Sequence, residues 1–589
     1  MEGDSATSAP AGSKVALTVL VALVVLSPWP FGSVHLRTTQ AIALISLVTA
    51  LGAFLWDGWH RQLQLPPRAI LWPLLGLWAL AVFQLIPLPE GLHRWLAPGS
   101  AAVWHPAVPA AAAVLGPGPH PISLDPEATR RWLAFATGVL ALTVAAGPAL
   151  RLRRHLLRAS VAVAGGAVLV AVYGFVARLL FGDKIFGVWS VPTVAPFGPF
   201  VSKNHFAGYV ELGALVAVGL ATGLAAEARH GPGWLSWIES HRAKWVVVAG
   251  GAALVLILAV PVSLSRGGAV SLCVGLLAFG ALQLWMRWPS SLSPRALAVS
   301  LAIALLAAAA VTALLPAEAR SRVLTLAGVT TDQSGSYRIG VWRDTIRLIG
   351  SSPVVGCGFG AYADALPRFK TAAGHLGIEH AENDHLEFLA EGGFVGTALA
   401  GTSALMLVLY GWRGVRAGER RLAGALLAAA LAGAATIYVH SAFDFNLRIP
   451  SNALMAALLV SICVASTLQA DTPRTAPSRL VSWPGLVVVA GSVLLAAFTP
   501  WVSSHQETGA LGRASAQARA SLRRFSLEKD VAAELQRRPG QAAAWVHLAW
   551  LRFPASRDEA SALARWAAVL DPQHEELARA SARLRGAVP

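Results

Sequence analysis

The feature that most limits what this chain can fold into is a succession of apolar stretches, each close to the length needed to cross a bilayer. A helical span needs roughly 20 predominantly apolar residues to traverse the hydrocarbon core. Segments of this kind lie at 15–33, 39–56, 69–86, 132–150, 156–181, 204–226, 245–263, 268–286, 297–315, 386–411, 422–443, 451–468 and 482–501. Lipid offers no hydrogen bonds to a backbone, so each segment must satisfy its own amides and carbonyls as a helix. The expected fold class is all-α: a polytopic helical membrane protein of about 12–13 transmembrane helices. Only 13% of the 589 residues are charged, against roughly 25% in a soluble domain.

Composition also excludes several function classes. Cys273, Cys357 and Cys463 lie far apart, so neither a disulfide framework nor a thiolate metal cluster is indicated. The net charge of +16 is scattered in short clusters between apolar runs, which argues against a nucleic-acid partner and for a topology signal. Lys14 and the run Val15 to Leu26 resemble a signal-peptide core, but no small-residue cleavage site follows in Ser27 to Phe31. The segment reads as a first span.

Cytoplasmic loops are enriched in Lys and Arg. With residues 1–14 inside, the inner loops carry Arg61 and Arg68, then Arg151, Arg153, Arg154 and Arg158, then Arg229, Arg242 and Lys244. The pattern continues with Arg287 and Arg295, with Arg413, Arg416, Arg420 and Arg421, and with Arg474 and Arg479. On this topology 15–315 holds the first nine spans, 316–385 is a long outer loop, 386–501 holds four more spans, and 502–589 is an outward helical tail. Segments 87–131, 182–203 and 444–450 and the turn near Arg266 also face outward.

In the tail, Trp545, Leu548 and Ala549, followed by Ala560, Ala564, Ala567 and Pro572, resemble one tetratricopeptide repeat, with Arg552 where an aromatic is usual. One repeat cannot bury its own face. Either segments 507–537 and 573–585 pack against it or it docks on a partner; an ordinary helical hairpin is the other reading.

Polar residues gather on the outer face. Arg266, in Ser263-Leu264-Ser265-Arg266-Gly267-Gly268, sits between two apolar runs with almost no loop around it. A guanidinium there suits bidentate capture of phosphate oxygens, or equally an interfacial snorkelling arginine. Arg338, Arg343 and Arg347 recur at helical spacing in the long loop, which also fits one solvated helix face. The run Pro353 to Gly360 lacks a P-loop lysine and does not read as a nucleotide site. His380, Glu382, Asp384 and His385 could take a proton from an acceptor hydroxyl; Asn383 or Asp384 can cap the helix that follows, with Glu387 and Glu391 one turn apart in it. No HExxH pattern or second ligand cluster supports a metal. Lys203, Asn204 and His205 open one span, and His440 and Asp444 close another.

These segments, in this order, resemble the O-antigen ligase and O-antigen polymerase (Wzy-type) family of polytopic glycosyltransferases. The resemblance covers the whole membrane part and is strongest from Phe200 through Pro450. It is carried by Gln84-Leu85-Ile86-Pro87-Leu88-Pro89, Ser202 to His205, Ser265 to Gly268, Arg338 with Trp342, and His440 to Pro450. The ligase motif is His, then Asn, Ser or Gln, nine residues, Gly, two residues, then Gly, Thr or Tyr. Asn383, Gly393 and Gly396 fit that frame, but Glu382 stands where the histidine belongs.

The resemblance implies a GT-C-like fold in the bacterial inner membrane, with a periplasmic active face and no cofactor or metal. It implies an inverting transfer of glycan from undecaprenyl pyrophosphate to an acceptor glycan or to lipid A core. Arg266, Arg338 and Arg343 would bind the pyrophosphate, and Glu382, His380 or His385 would activate the acceptor. Lys203, Asn204, His205, Asn383, His440 and Asp444 would support them, the spans would form a groove for the membrane lipid, and the tail would recruit polysaccharide-assembly proteins. A glycan transporter or flippase, with the outer polar clusters as a gate, and a non-catalytic scaffold are the rival readings. Transporters more often place charge near the midplane and show internal repeats, and neither is evident here.

Overall fold

The computed structural model of the chain describes residues 8–190, 196–228, 241–287, 333–371, 377–416, 421–468 and 524–574, with residues 579, 582 and 583. The expected spans 297–315 and 482–501 lie outside the described residues. So do residues 316–332 of the long loop, tail residues 507–523, most of 573–585, and Arg229, Arg295, Arg420, Arg474 and Arg479.

The described residues are mostly helical; the strands among them are a short antiparallel pair, Lys184–Ile185 with Trp189–Ser190. Among them, nine helices are long and apolar enough to cross a membrane: Leu36–Trp59, Pro126–Leu150, Arg153–Phe181, Lys203–Glu227, Ala243–Val262, Arg266–Met286, Asp384–Val415, Arg421–His440 and Pro450–Thr467. Ala11–Leu26 and Arg68–Phe83 are shorter apolar helices. This is the all-α polytopic membrane architecture that the apolar segments require. One segment differs in detail, because the helix entering the expected span 386–411 is broken at Gly393.

The chain divides into two compact units. The first comprises residues 1–71, 137–328 and 403–486, the second residues 72–136, 329–402 and 487–589. In the first, we label the helices that matter here α1 (Arg153–Phe181), α2 (Lys203–Ala228), α3 (His241–Val262), α4 (Arg266–Arg287) and α5 (Arg421–His440). Helix–helix association in lipid depends on close packing, which small residues permit. A Cβ at Gly213 of α2 would lie 2.6 Å from Ala167 Cβ of α1, and one at Gly219 would lie 2.7 Å from Ala429 Cβ of α5. Contact on both sides buries α2, including the face that carries Glu211.

The second unit contains the long loop and the tail, and they share a core. Val341, Leu348, Tyr362 and Leu366 of the loop pack in one buried cluster with Trp545, Leu548, Ala549, Ala560, Ala564 and Ala567 of the tail. Helix Arg524–Arg537 contributes Val531 and Leu535. The apolar face of the tail helices Ala542–Arg552 and Arg557–Leu570 is therefore covered from within the chain.

Charged contacts lock the same junction. Arg538 donates to both carboxylate oxygens of Asp364 at 3.0 and 3.1 Å, and its Nε lies 3.1 Å from Asp125. Lys370 and Asp571 form a second buried pair at 3.2 Å. Burial, reinforced by Asp125, pushes the Asp364 carboxyl up to about 6 despite the neighbouring guanidinium.

Replacing Arg538 by Ala takes the guanidinium partner from the buried Asp364 carboxylate, a change that costs about 3–5 kcal/mol in comparable cases. Hydrogen exchange on the full-length protein in detergent is expected to show faster exchange across 524–570 in Arg538→Ala, with partial recovery on adding Asp364→Asn; unchanged protection would refute the lock. Because its carboxyl is raised in the folded state from the ordinary 3.8, the stability from Asp364 is complete below 3.8 and lost as pH rises through about 6. Asp364→Asn should therefore flatten the pH dependence of the melting temperature within that window.

Candidate active site

In the second unit, the helix Gln333–Ser351 carries the loop arginines, and the structure distinguishes them. Arg338 is half-buried, with Nε 3.4 Å from Glu382 Oε2. Arg343 is exposed and has no ion pair among the described residues. Arg347 is tied to Asp344 at 3.1 Å. Tyr337 lies beside the Arg338–Glu382 pair; burial and then the Glu382 charge push its phenol up, while Arg338 opposes them.

Glu382 has φ 53°, a left-handed conformation that is uncommon for a residue with a side chain. Its neighbours pin it there. Ala381 N donates to Glu387 Oε2 at 2.8 Å on one side. On the other, Asn383 Oδ1 accepts from His385 N and Leu386 N, both at 3.0 Å, and so caps the helix that starts at Asp384. The second oxygen of Glu387 lies 2.9 Å from His380 Nδ1. The Glu387 carboxylate is 1% exposed and the His380 ring 31%. A carboxylate on Nδ1 fixes the ring and its tautomer, making Nε2 the nitrogen able to accept a proton. The structure thus brings His380, Glu382, Asn383, His385 and Arg338 into one neighbourhood and adds Glu387, which the sequence marks only as a first-turn residue.

The helix that carries Glu387 is broken at Gly393, where φ is 63° and a Cβ would sit 2.3 Å from Val354 O. The break releases backbone groups, and each named here has a partner. Cys357 N donates to Ala390 O at 3.0 Å and Gly358 N to Glu391 O at 3.1 Å, while Phe394 N donates to Pro353 O at 2.8 Å. Gln84 fastens the arrangement: its Nε2 donates to Val355 O at 2.7 Å and Glu391 O at 2.8 Å, and its Oε1 accepts from Phe359 N at 3.1 Å. The glycine run 353–360 is therefore a backbone splice to the broken helix.

In the first unit, a tight turn joins α3 to α4, and Arg266 is the first residue of α4. Ser265 caps it, its Oγ accepting from Gly268 N at 3.2 Å and donating to Asn204 Oδ1 at 2.9 Å. A helix N-terminus and a guanidinium at one point favour an anion. Lys203 is the first residue of α2. His205 Nε2 lies 3.5 Å from Asp444 Oδ1, both buried. His440 Nδ1 is 2.8 Å from Glu211 Oε1, and Glu211 Oε2 accepts from Ser271 Oγ at 2.7 Å. Sequence reading passed over Glu211 and Ser271, although an acidic residue inside an apolar span is itself a signal. Among the described residues, no group of three or more His, Cys, Asp or Glu is placed to hold a metal ion.

A family model described as O-antigen ligase matches residues 251–401, a segment that runs from α3 through the Arg266 turn and the loop to the broken helix. The chain thus carries a segment similar to the O-antigen ligase domain, covering about a quarter of its length. No curated protein matches the chain. The O-antigen ligase domain includes Arg266, Arg338, Arg343, His380, Glu382, Asn383 and His385; Lys203, Asn204, His205, Glu211, His440 and Asp444 lie outside it. The match supports a glycan-transfer role in polysaccharide assembly for this multi-pass membrane protein.

Gly393→Ala tests the break directly. A side chain at this φ with a carbonyl 2.3 Å from its Cβ should cost at least about 1–3 kcal/mol, read as a lower melting temperature and accelerated exchange at Cys357 and Gly358. Gly401, whose Cβ would meet nothing within 4 Å, is the control expected to tolerate Ala.

Proposed function

We propose that the protein transfers glycan from an undecaprenyl-pyrophosphate carrier to an acceptor hydroxyl on the periplasmic face of the inner membrane, by a metal-independent inverting step. The observation that carries this reading is the His380–Glu387 pair inside the O-antigen ligase domain, with a buried carboxylate 2.9 Å from a partly exposed imidazole. It favours His380 over Glu382 as the base, since the Glu382 carboxylate is already the ion-pair partner of Arg338. His380 takes the place of the motif histidine that Glu382 displaces in sequence.

In this reading the acceptor O–H gives its proton to His380 Nε2 as its oxygen attacks the anomeric carbon. The bond from that carbon to the carrier oxygen breaks, and the diphosphate leaves with the electron pair. Negative charge grows on the departing group, which Arg266, Arg338 and Arg343 are assigned to neutralise. Lipid A core as acceptor makes the protein a ligase; another glycan repeat makes it a polymerase. The same chemistry serves both.

The test is turnover of an undecaprenyl-pyrophosphate glycan by purified protein, with and without chelator. His380→Ala is expected to lower kcat about 10²–10⁴-fold and Glu387→Gln to lower it less, whereas Glu382→Gln and His385→Ala keep most activity. Full activity in His380→Ala with loss in Glu382→Gln would move the base to Glu382. Undiminished turnover by the Arg266→Ala, Arg338→Ala double variant would sink the diphosphate assignment, and loss of turnover with chelator would sink metal independence.

A further inference from the structure

Glu211 is a fully buried carboxylate within a membrane-spanning helix, a placement costly enough that it ordinarily marks function or an obligatory pair. Both of its oxygens act on the helix that begins at Arg266. Oε2 accepts from Ser271 Oγ at 2.7 Å, one turn into α4. Oε1 lies 2.8 Å from His440 Nδ1, and the far edge of that imidazole covers Gly267: a Cβ there would lie 3.3 Å from both His440 Cδ2 and Nε2. Two turns earlier on α2, Asn204 holds Ser265, the cap of the same helix, at 2.9 Å. Residues seven apart share a helix face, so one face of α2 grips α4 at its cap and again through the Glu211 carboxylate.

Resting on the assignment of Arg266 to the carrier diphosphate, we infer that Glu211 is the positioning residue for Arg266: through Ser271 and the His440 ring it fixes the first turn of α4 and hence the place where the guanidinium and the helix terminus meet the diphosphate. Glu211 itself does not touch substrate. A merely structural carboxylate would lower stability without discriminating between ground-state binding and turnover. A positioning residue acts on affinity for the diphosphate-bearing donor, and only while Arg266 is present.

The experiment is a double-mutant cycle on the full-length protein in detergent, with an undecaprenyl-pyrophosphate glycan as donor. Glu211→Ala is expected to raise the donor KM about tenfold, with a smaller change in kcat. Glu211→Gln, which keeps the shape and one accepting oxygen while its amide N–H can donate to Ser271 Oγ, should largely restore it. Ser271→Ala cuts one of the two links and should give an intermediate KM, which covers the case in which Glu211→Ala fails to fold. In an Arg266→Ala background, Glu211→Ala should add little, the signature of two residues acting as a unit. Full additivity, or a fall in kcat at unchanged KM, would overturn the inference. Wild-type kinetics for Arg266→Ala alone would instead remove the diphosphate assignment on which it rests.

Discussion

A membrane helix can be interrupted only where something else satisfies the backbone groups it releases. At Gly393 that requirement is met by the glycine-rich segment 353–360 and by Gln84, whose amide serves three backbone groups from two distant parts of the chain. The segment from His380 to Glu391 consequently has a backbone direction of its own, separate from the helix after the break. Within it, Ala381 N and His380 converge on one carboxylate, Glu387.

The protein uses one pairing, histidine Nδ1 against a buried glutamate, in each of its units. In the loop unit the imidazole is 31% exposed, and in the membrane unit 1%. The difference in access separates a ring that can exchange a proton with a substrate from one that can only hold its surroundings in place. The glutamate is dehydrated in both and takes a second hydrogen bond, from an amide in one and a hydroxyl in the other. Neither carboxylate depends on its histidine alone.

Much of the architecture was legible because a span is a local property: twenty apolar residues need no knowledge of their neighbours. The Arg266 turn was legible for the same reason, since a charge with no loop around it is conspicuous in one dimension. Asn383 was recognisable as a cap from the residues beside it. What escaped was long-range. Gln84 acts on residues 271 and 307 positions away, the Glu211–His440 pair spans 229 positions, and the break at Gly393 is decided by a carbonyl at Val354. The motif frame marked Gly393 and Gly396 without saying why; backbone crowding at the first and the Leu80 and Phe359 side chains at the second supply the reason.

The junction of Arg538 with Asp364 joins residues 174 positions apart. A loop core that includes Trp545 and Ala564 cannot close while those residues are still unsynthesised. Helices can enter the bilayer one after another, but the loop core is completed only once residues through Leu570 have been made and brought to the loop's side of the membrane.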